Sequence, residues 1–278
     1  MTVERSFKGW AKPGPVPPGA SEPIDVPPDE TLDAISGHFR IFQLRKGHRF
    51  STDDLLTAWY GSSWAPAAGR VLDLGSGIGS VGMMAAWRLV GAHVVTIEAQ
   101  EESVRLARKS AAYNGLDNRY EIRCGDLRDP GVLRADERFD LVLGSPPYFP
   151  VGTGIEGEHP QKAACRFELR GDIGDYAAAA ASHLRPGGLF AVVYPDAQRS
   201  RLESAARNAA LSLVRFRPVV FREGEPPLVS LFGLMRAEDL PARMRNQGWG
   251  ESPLVIRTTD GGVHPEYAAV KLAIGFPP

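Results

Sequence analysis

The stretch "RVLDLGSGIGS", residues 70 to 80, runs from an apolar strand signal into a helix signal through Gly75, Gly77 and Gly79. Glycines at such a corner let the backbone turn sharply and approach a ligand, while the helix N-terminus offers amide donors. A strand of this kind belongs inside a sheet, with its helix packed back over one face. The segments that follow repeat the alternation. "SVGMMAAWRLV" reads as a helix, "HVVTIE" as a strand, and "EESVRLARKSAAYNG" as an amphipathic helix closed by Gly115. "YEIRCGD" and "FDLVLGS" are strands, "DYAAAAASHL" a helix, "RPGG" a turn and "LFAVVY" a strand. Strands separated by helices predict a mostly parallel sheet covered on both faces. "LSLVRFRPVVF" and "LVSLFGLMR" flank "REGEPP" and should pair antiparallel at one sheet edge.

The flanks differ in character. Residues 1–30 carry seven prolines and few large apolar groups, which predicts an extended, unpacked tail. The domain is expected over 31–278. Within it, 31–64 should form a β-hairpin turning at Gly37 and a helix capped by Ser51 or Thr52. Residues 240–278 should form a C-terminal extension, a strand, a "DGG" turn and a helix, placed either at the sheet edge or over the site.

A chain of 278 residues with 43% hydrophobic content can bury a full core, while a net charge of -1 gives no whole-molecule attraction to polyanions. A nucleic-acid partner would therefore need a locally basic face. Two candidates exist: Arg40, Arg45, Lys46 and Arg49 near the hairpin, and Arg199, Arg201, Arg207, Arg215, Arg217 and Arg222, whose segment 199–222 contains one acid, Glu203. Lys162, Arg166 and Arg170, after "VGTGIEGEHP", suggest a lid. Cys124 and Cys165 are too few for a disulfide framework, and six scattered histidines lack metal-site spacing. No signal-peptide core and no apolar run of about 18 residues is present, so a cytoplasmic, membrane-free protein is expected.

The glycine loop departs from the dinucleotide pattern, since Ser80 stands where a third glycine would fall. Asp73, two residues before Gly75, would crowd a pyrophosphate and favour a cation instead. Glu98, at the end of the next strand, is placed to accept from the hydroxyls of a ribose, and Asp126, after the third strand, from an adenine amine. Further on, "SPPYF", residues 145–149, ends a buried strand with two rigid prolines, a small hydroxyl and a flat ring. A proline corner of this kind holds carbonyl acceptors at the sheet edge where α/β folds bind ligands.

Over residues 55–236 these features resemble class I S-adenosylmethionine-dependent methyltransferases. The resemblance implies a Rossmann-like α/β fold with a seven-stranded sheet, mostly parallel, whose last strand inserts antiparallel. "SPPY" resembles the [D/N/S]-P-P-[Y/F/W] motif of amino methyltransferases, in which Ser145 and the Pro146 carbonyl would orient an exocyclic amine, with Pro147 rigid beside them and Tyr148 stacking on the acceptor. Over 31–278, "GHRFSTDDLLTAW", "RFELRGDIGDY" and the C-terminal segment look like the bacterial tRNA1(Val) adenine N6-methyltransferase family. That family usually carries asparagine where Ser145 stands. The resemblance implies S-adenosylmethionine as cofactor, held by Thr52, Asp53, Asp73, Gly75, Ser76, Gly77, Gly79, Glu98 and Asp126, and tRNA as the substrate. Protein glutamine or DNA amine methylation, and cofactor or RNA binding without turnover, remain alternatives.

Overall fold

The computed structural model describes residues 25–150, 167–245 and 247–276, single positions 152, 161 and 165, and the backbone of 5–7 and 10–12. At the N-terminus β1 (Arg5–Phe7) and β2 (Trp10–Lys12) pair antiparallel, within the stretch expected to be unpacked. Residues 13–24 lie outside the described residues. The expected boundary at residue 30 also shifts, because Glu30 already opens β3 (Glu30–Ser36) and is buried.

β3 turns at Gly37, in the left-handed region at φ +47°, into β4 (Phe39–Leu44). A seven-residue stretch, 45–51, carrying α1's cap then leads to α1 (Thr52–Trp64), where Asp54 accepts from the Ser51 amide at 3.0 Å. This reciprocal geometry holds the helix N-terminus in place. The alternating region follows as read: β5 (Arg70–Leu74), α2 (Ser80–Arg88), β6 (His93–Glu98), α3 (Glu101–Tyr113), β7 (Tyr120–Cys124), β8 (Phe139–Gly144), α4 (Ile173–His183) and β9 (Leu184–Pro195). Then come α5 (Arg199–Asn208), β10 (Leu211–Val220), β11 (Val229–Arg236), the short β12 (Trp249–Gly250) and β13 (Leu254–Val255), and α6 (Pro265–Ala273).

Among the described residues the main sheet has nine strands, two more than the expected seven. β7, β6, β5, β8 and β9 lie side by side and parallel. β11 inserts between β9 and β10, antiparallel to both, as the edge-hairpin reading requires. The two extra strands come from the C-terminal extension and pair parallel with β10. The extension is thus an edge addition, and α6 packs against α1 and β13. Another difference lies at "RPGG": β9 begins at Leu184, and the pairing with β8 jumps from Phe139–Leu184 to Leu141–Leu189. The glycine-rich turn signal becomes a bulge within a strand, with the Gly187 amide donating to Asp239 at 2.9 Å.

Parallel strands with both faces covered need apolar residues in both directions. Accordingly, Val71, Leu141, Leu143 and Ala191 face the core shared with α1, α2, α3 and the hairpin. Their neighbours Leu72, Leu74, Val142 and Phe190 face the core under α4 and α5. The hairpin has no strand partner in the main sheet and docks on α3 through side chains. Ser110 accepts from the Phe42 amide at 2.9 Å, Asn114 bridges the amide and carbonyl of Arg40, and Glu30 pairs with Arg105 and Lys109. Among the described residues, no helix is long and apolar enough to cross a membrane.

Before β8, the buried Glu137 is bound by Arg123 through both carboxylate oxygens, at 2.7 and 2.9 Å. Those bonds outweigh its burial and hold its pKa down at about 2. A depressed carboxylate stabilises the fold above its unfolded value and loses that contribution as pH falls toward the folded one. Glu137→Gln should therefore cost roughly 2–3 kcal/mol at pH 7. Denaturant titrations of both proteins should show the gap narrowing below about pH 4.5, near the unfolded carboxylate value. A gap independent of pH would show that the charge contributes nothing.

Candidate active site

The carboxyl ends of β5, β6 and β8 and the N-terminus of α1 enclose a cavity of about 430 Å³. Asp73, Gly75, Ser76 and Gly77 line it from β5, Ile97 and Glu98 from β6, and Ser145 to Phe149 from β8. Ser51, Asp53 and Asp54 close it from α1, and Tyr176 from α4. The glycine loop and the proline corner, 70 residues apart in the chain, thus face one space because β5 and β8 are adjacent and parallel.

The loop does not behave as an anion cradle. The Ser76 amide donates to Ile97 O, Gly77 to Glu98 Oε2 and Gly79 to Ser76 O. In the first turn of α2 the Gly82 amide donates to Asp73 Oδ2 at 2.8 Å. Donors that a pyrophosphate would need are therefore taken by the protein's own oxygens, two of them on carboxylates. Gly75 and Gly77 have φ of +60° and +55°, the region that favours glycine. A side chain at Gly75 would in addition meet the Tyr176 hydroxyl at 1.9 Å, whereas one at Gly77 meets nothing within 4 Å. Tyr176 is the back wall of the loop.

Four carboxylates, Asp53, Asp54, Asp73 and Glu98, line the cavity. Burial pushes the pKa of each upward, most strongly at Asp73. Arg170 and His48 are the cationic or ionisable bases at the rim, and Arg170 draws Glu98 partly back down. Asp54 is held by the Ser51 amide and by the Ser80 hydroxyl at 3.0 Å. Asp73 and Glu98 therefore have a double role, satisfying backbone amides while facing the cavity. The Ser76 hydroxyl is buried and has no hydrogen-bond partner among the described residues. Raised carboxylates and an unsatisfied hydroxyl fit an occupant that is cationic and carries its own polar groups.

On the β8 side, Tyr148 is fixed from several directions. Its hydroxyl donates to Asp53 Oδ2 at 2.7 Å, its carbonyl accepts from Gln198 at 3.0 Å, and its ring meets Tyr194 edge-on. Pro146 and Pro147 are buried, and Ser145 is half-buried. Phe149 is 42% exposed and bridges to Phe167.

Three expected cofactor residues fall outside the cavity lining. Thr52 lies beside Tyr267 of α6. Gly79 caps α2 and packs near Tyr120. The Asp126 carboxylate is bound by the Arg128 amide and guanidinium, while its neighbours Gly125 and Leu127 line the space. Conversely, Asp54, Tyr176, Gln100 and Cys165 line it without having been expected to. Burial raises the Cys165 thiol to about 12, so it stays protonated. Of the lid residues, Arg170 reaches the cavity, and Lys162 and Arg166 lie outside the described residues. Among the described residues no group of three or more His, Cys, Asp or Glu is placed to hold a metal.

The basic faces shrink in the structure. Arg40 is buried, with its guanidinium donating to backbone carbonyls of Gly37 and Phe39. Arg215 is buried against Tyr60 and Glu251. Arg201 pairs with Glu168 and Asp172, Arg217 with Glu266, Arg199 with Glu203, and Arg49 with Asp33. For Arg201, Arg215 and Arg217 the partners are acids distant in sequence, so these three arginines serve to join elements.

A sheet of this order, with acids at the ends of its first two strands beside a glycine loop, is the class I methyltransferase fold. Two solved structures share it. A predicted O-methyltransferase from Agrobacterium tumefaciens has a TM-score of 0.62 at 21% identity, covering 81% of this chain and 98% of that one. A SAM-dependent methyltransferase from the same organism has 0.53 at 16%, covering 77% and 72%. The sequence pattern of the methyltransferase small domain family matches residues 55–206, more than half of the chain, and the chain belongs to that family. It is 33% identical over 153 residues to a tRNA1(Val) (adenine(37)-N6)-methyltransferase of Citrobacter koseri, covering 53% of this chain and 59% of that protein. To the protein of the same name from Porphyromonas gingivalis it is 32% identical over 179 residues, covering 62% and 67%. The chain thus spans well under two thirds of the Citrobacter relative.

Gly75→Ala should destabilise the protein by more than the roughly 1–2 kcal/mol of left-handed strain, because Tyr176 must also move. Gly77→Ala should cost the strain alone. Thermal melts of the two variants should rank them in that order; equal losses would show that Tyr176 yields freely.

Proposed function

We propose that this protein transfers a methyl group from S-adenosylmethionine to the exocyclic amine of a nucleobase, adenine N6 in tRNA. One observation carries the reading: the Ser145–Tyr148 corner lines the same cavity as the acidic glycine loop. The family match supports the cofactor, and the names of the relatives support the acceptor.

Glu98, Asp73 and Ser76 are the groups that would hold the cofactor's hydroxyls and amine, and the four carboxylates favour its positive charge. When bound, S-adenosylmethionine supplies a sulfonium methyl whose transfer forms an N–C bond, breaks C–S with the electron pair left on sulfur, and releases a proton from nitrogen to solvent. The chain's own residues act on the acceptor. Tyr148 offers its ring to a base that has left its stack. Ser145 and the Pro146 carbonyl accept from the amine N–H groups, which aims the nitrogen lone pair. A correctly aimed nucleophile in a water-poor site accounts for much of such a rate enhancement, so no strong base is required.

Purified protein with methyl-labelled cofactor and total RNA should place label in N6-methyladenosine after digestion to nucleosides. Label in cytosine, in DNA or in a protein glutamine would replace the acceptor, and no transfer to any of them would overturn the reading. Ser145→Ala and Tyr148→Ala should each lower kcat by about 100-fold or more.

The raised carboxylates also give the cofactor site a pH dependence. A cation favours their ionised forms, so its binding releases protons and its affinity should rise as pH increases through their raised range. S-adenosylhomocysteine, which lacks the sulfonium charge, should respond less. Calorimetric titrations from pH 5 to 8 test this, and equal pH slopes for both ligands would exclude the electrostatic role.

A further inference from the structure

On the reading of the cavity as a nucleobase methyltransferase site, on which this inference rests, the acceptor base leaves its stack to lie against Tyr148. Extrusion of one base uncovers a face of each neighbouring base in the strand, and a flat apolar face left in water gains by finding a new partner. Tyr148 is taken by the extruded base. A second ring beside it would serve the neighbour.

Phe149 is such a ring. It lines the rim of the same cavity and is exposed, whereas Tyr148 is half-buried. Consecutive Cα atoms lie about 3.8 Å apart, so the two side chains start about as far from each other as two stacked nucleotides, roughly 3.4 Å. Singly exposed apolar side chains are ordinary on protein surfaces. This one differs in being held. The Phe149 carbonyl accepts from the Glu168 amide at 2.9 Å, and its ring centroid lies 6.0 Å from that of Phe167. Phe167 is buried, and the Glu168 carboxylate is gripped by Arg201 of α5 at 2.8 Å. An exposed ring braced in this way loses little freedom when a flat ligand stacks on it, which favours binding.

We propose that Phe149 is the stacking platform for the nucleotide next to the methylated one. Tyr148 receives the acceptor base and Phe149 its neighbour, so the substrate is recognised as a strand rather than as a lone base.

A double-mutant cycle between protein and RNA is the test. With a synthetic stem-loop carrying the acceptor adenine in its single-stranded loop, Phe149→Ala should lower kcat/KM about tenfold, the scale of one base stacked on an aromatic side chain. Phe149→Trp, which keeps an aromatic face, should stay within about twofold of the wild type. Two further stem-loops each lack one base, on the 5′ or the 3′ side of the acceptor. In one of them the wild type should itself slow about tenfold, and there Phe149→Ala should cost less than about twofold more. If the Phe149→Ala penalty stays tenfold in both abasic RNAs, the ring serves only the shape of the pocket and the proposal falls. Wild type that labels no RNA would overturn the proposed function and this proposal with it, whereas RNA labelled equally fast by wild type and Phe149→Ala would overturn this proposal alone. Binding gives a readout without turnover. With S-adenosylhomocysteine present, the complete stem-loop should quench tryptophan fluorescence more in Phe149→Trp than in the wild type, and the excess should vanish with one of the abasic RNAs. Excess quenching that survives in both would overturn the proposal.

Discussion

A carboxylate in the middle of a parallel sheet is the constraint on which this structure turns. Asp73 is 1% exposed, between β6 and β8, and the burial that drives its pKa up is offset in part by the amide that the first turn of α2 donates to it. Glu98 does the same for the Gly77 amide. The two acids brace the glycine loop and in doing so remove the donors with which such loops bind phosphates. What remains in the cavity is acceptor-rich and short of positive charge, which selects a cationic ligand over an anionic one.

The N-terminal hairpin and α1 acquire a purpose from this arrangement. Side-chain bonds from α3 hold the hairpin, and the connection out of it delivers the capped start of α1 to the open edge of the sheet. Asp53 and Asp54 follow from one another in sequence but divide their work, one gripping Tyr148 and the other joining α1 to Ser80 of α2. The proline corner and the glycine loop are thereby referenced to a single helix terminus.

Strand and helix periodicity made the alternating core readable, because residues such as Val71 and Leu72 must be apolar on both faces of a covered sheet. The antiparallel insertion of β11 was visible in two strand-like runs separated by a short turn. The bulge at "RPGG" was not, since Pro and Gly mark a turn locally while pairing with β8 and a bond to Asp239 decide the outcome at a distance. In the site, Asp73, Glu98 and the proline corner stood out by their register with the glycines. Tyr176 carried no such mark, being one aromatic ring in an alanine-rich helix, and Asp54 serves the helix start as well, closing the capping box with Ser51. The arginine cluster misled because the acids that neutralise it, Glu168, Glu251 and Glu266, lie 33 to 49 residues away along the chain.

The placement of β11 also sets an order of assembly during synthesis. Every strand contributing to the cavity has left the ribosome well before residue 229, and β5 through β9 can pair among themselves as they emerge. Among the described residues β10 reaches β9 by hydrogen bonds through β11, a strand translated after it. The half that holds the cavity is therefore complete in chain order while the opposite border waits for a late, non-local closure, the slower kind of contact to form.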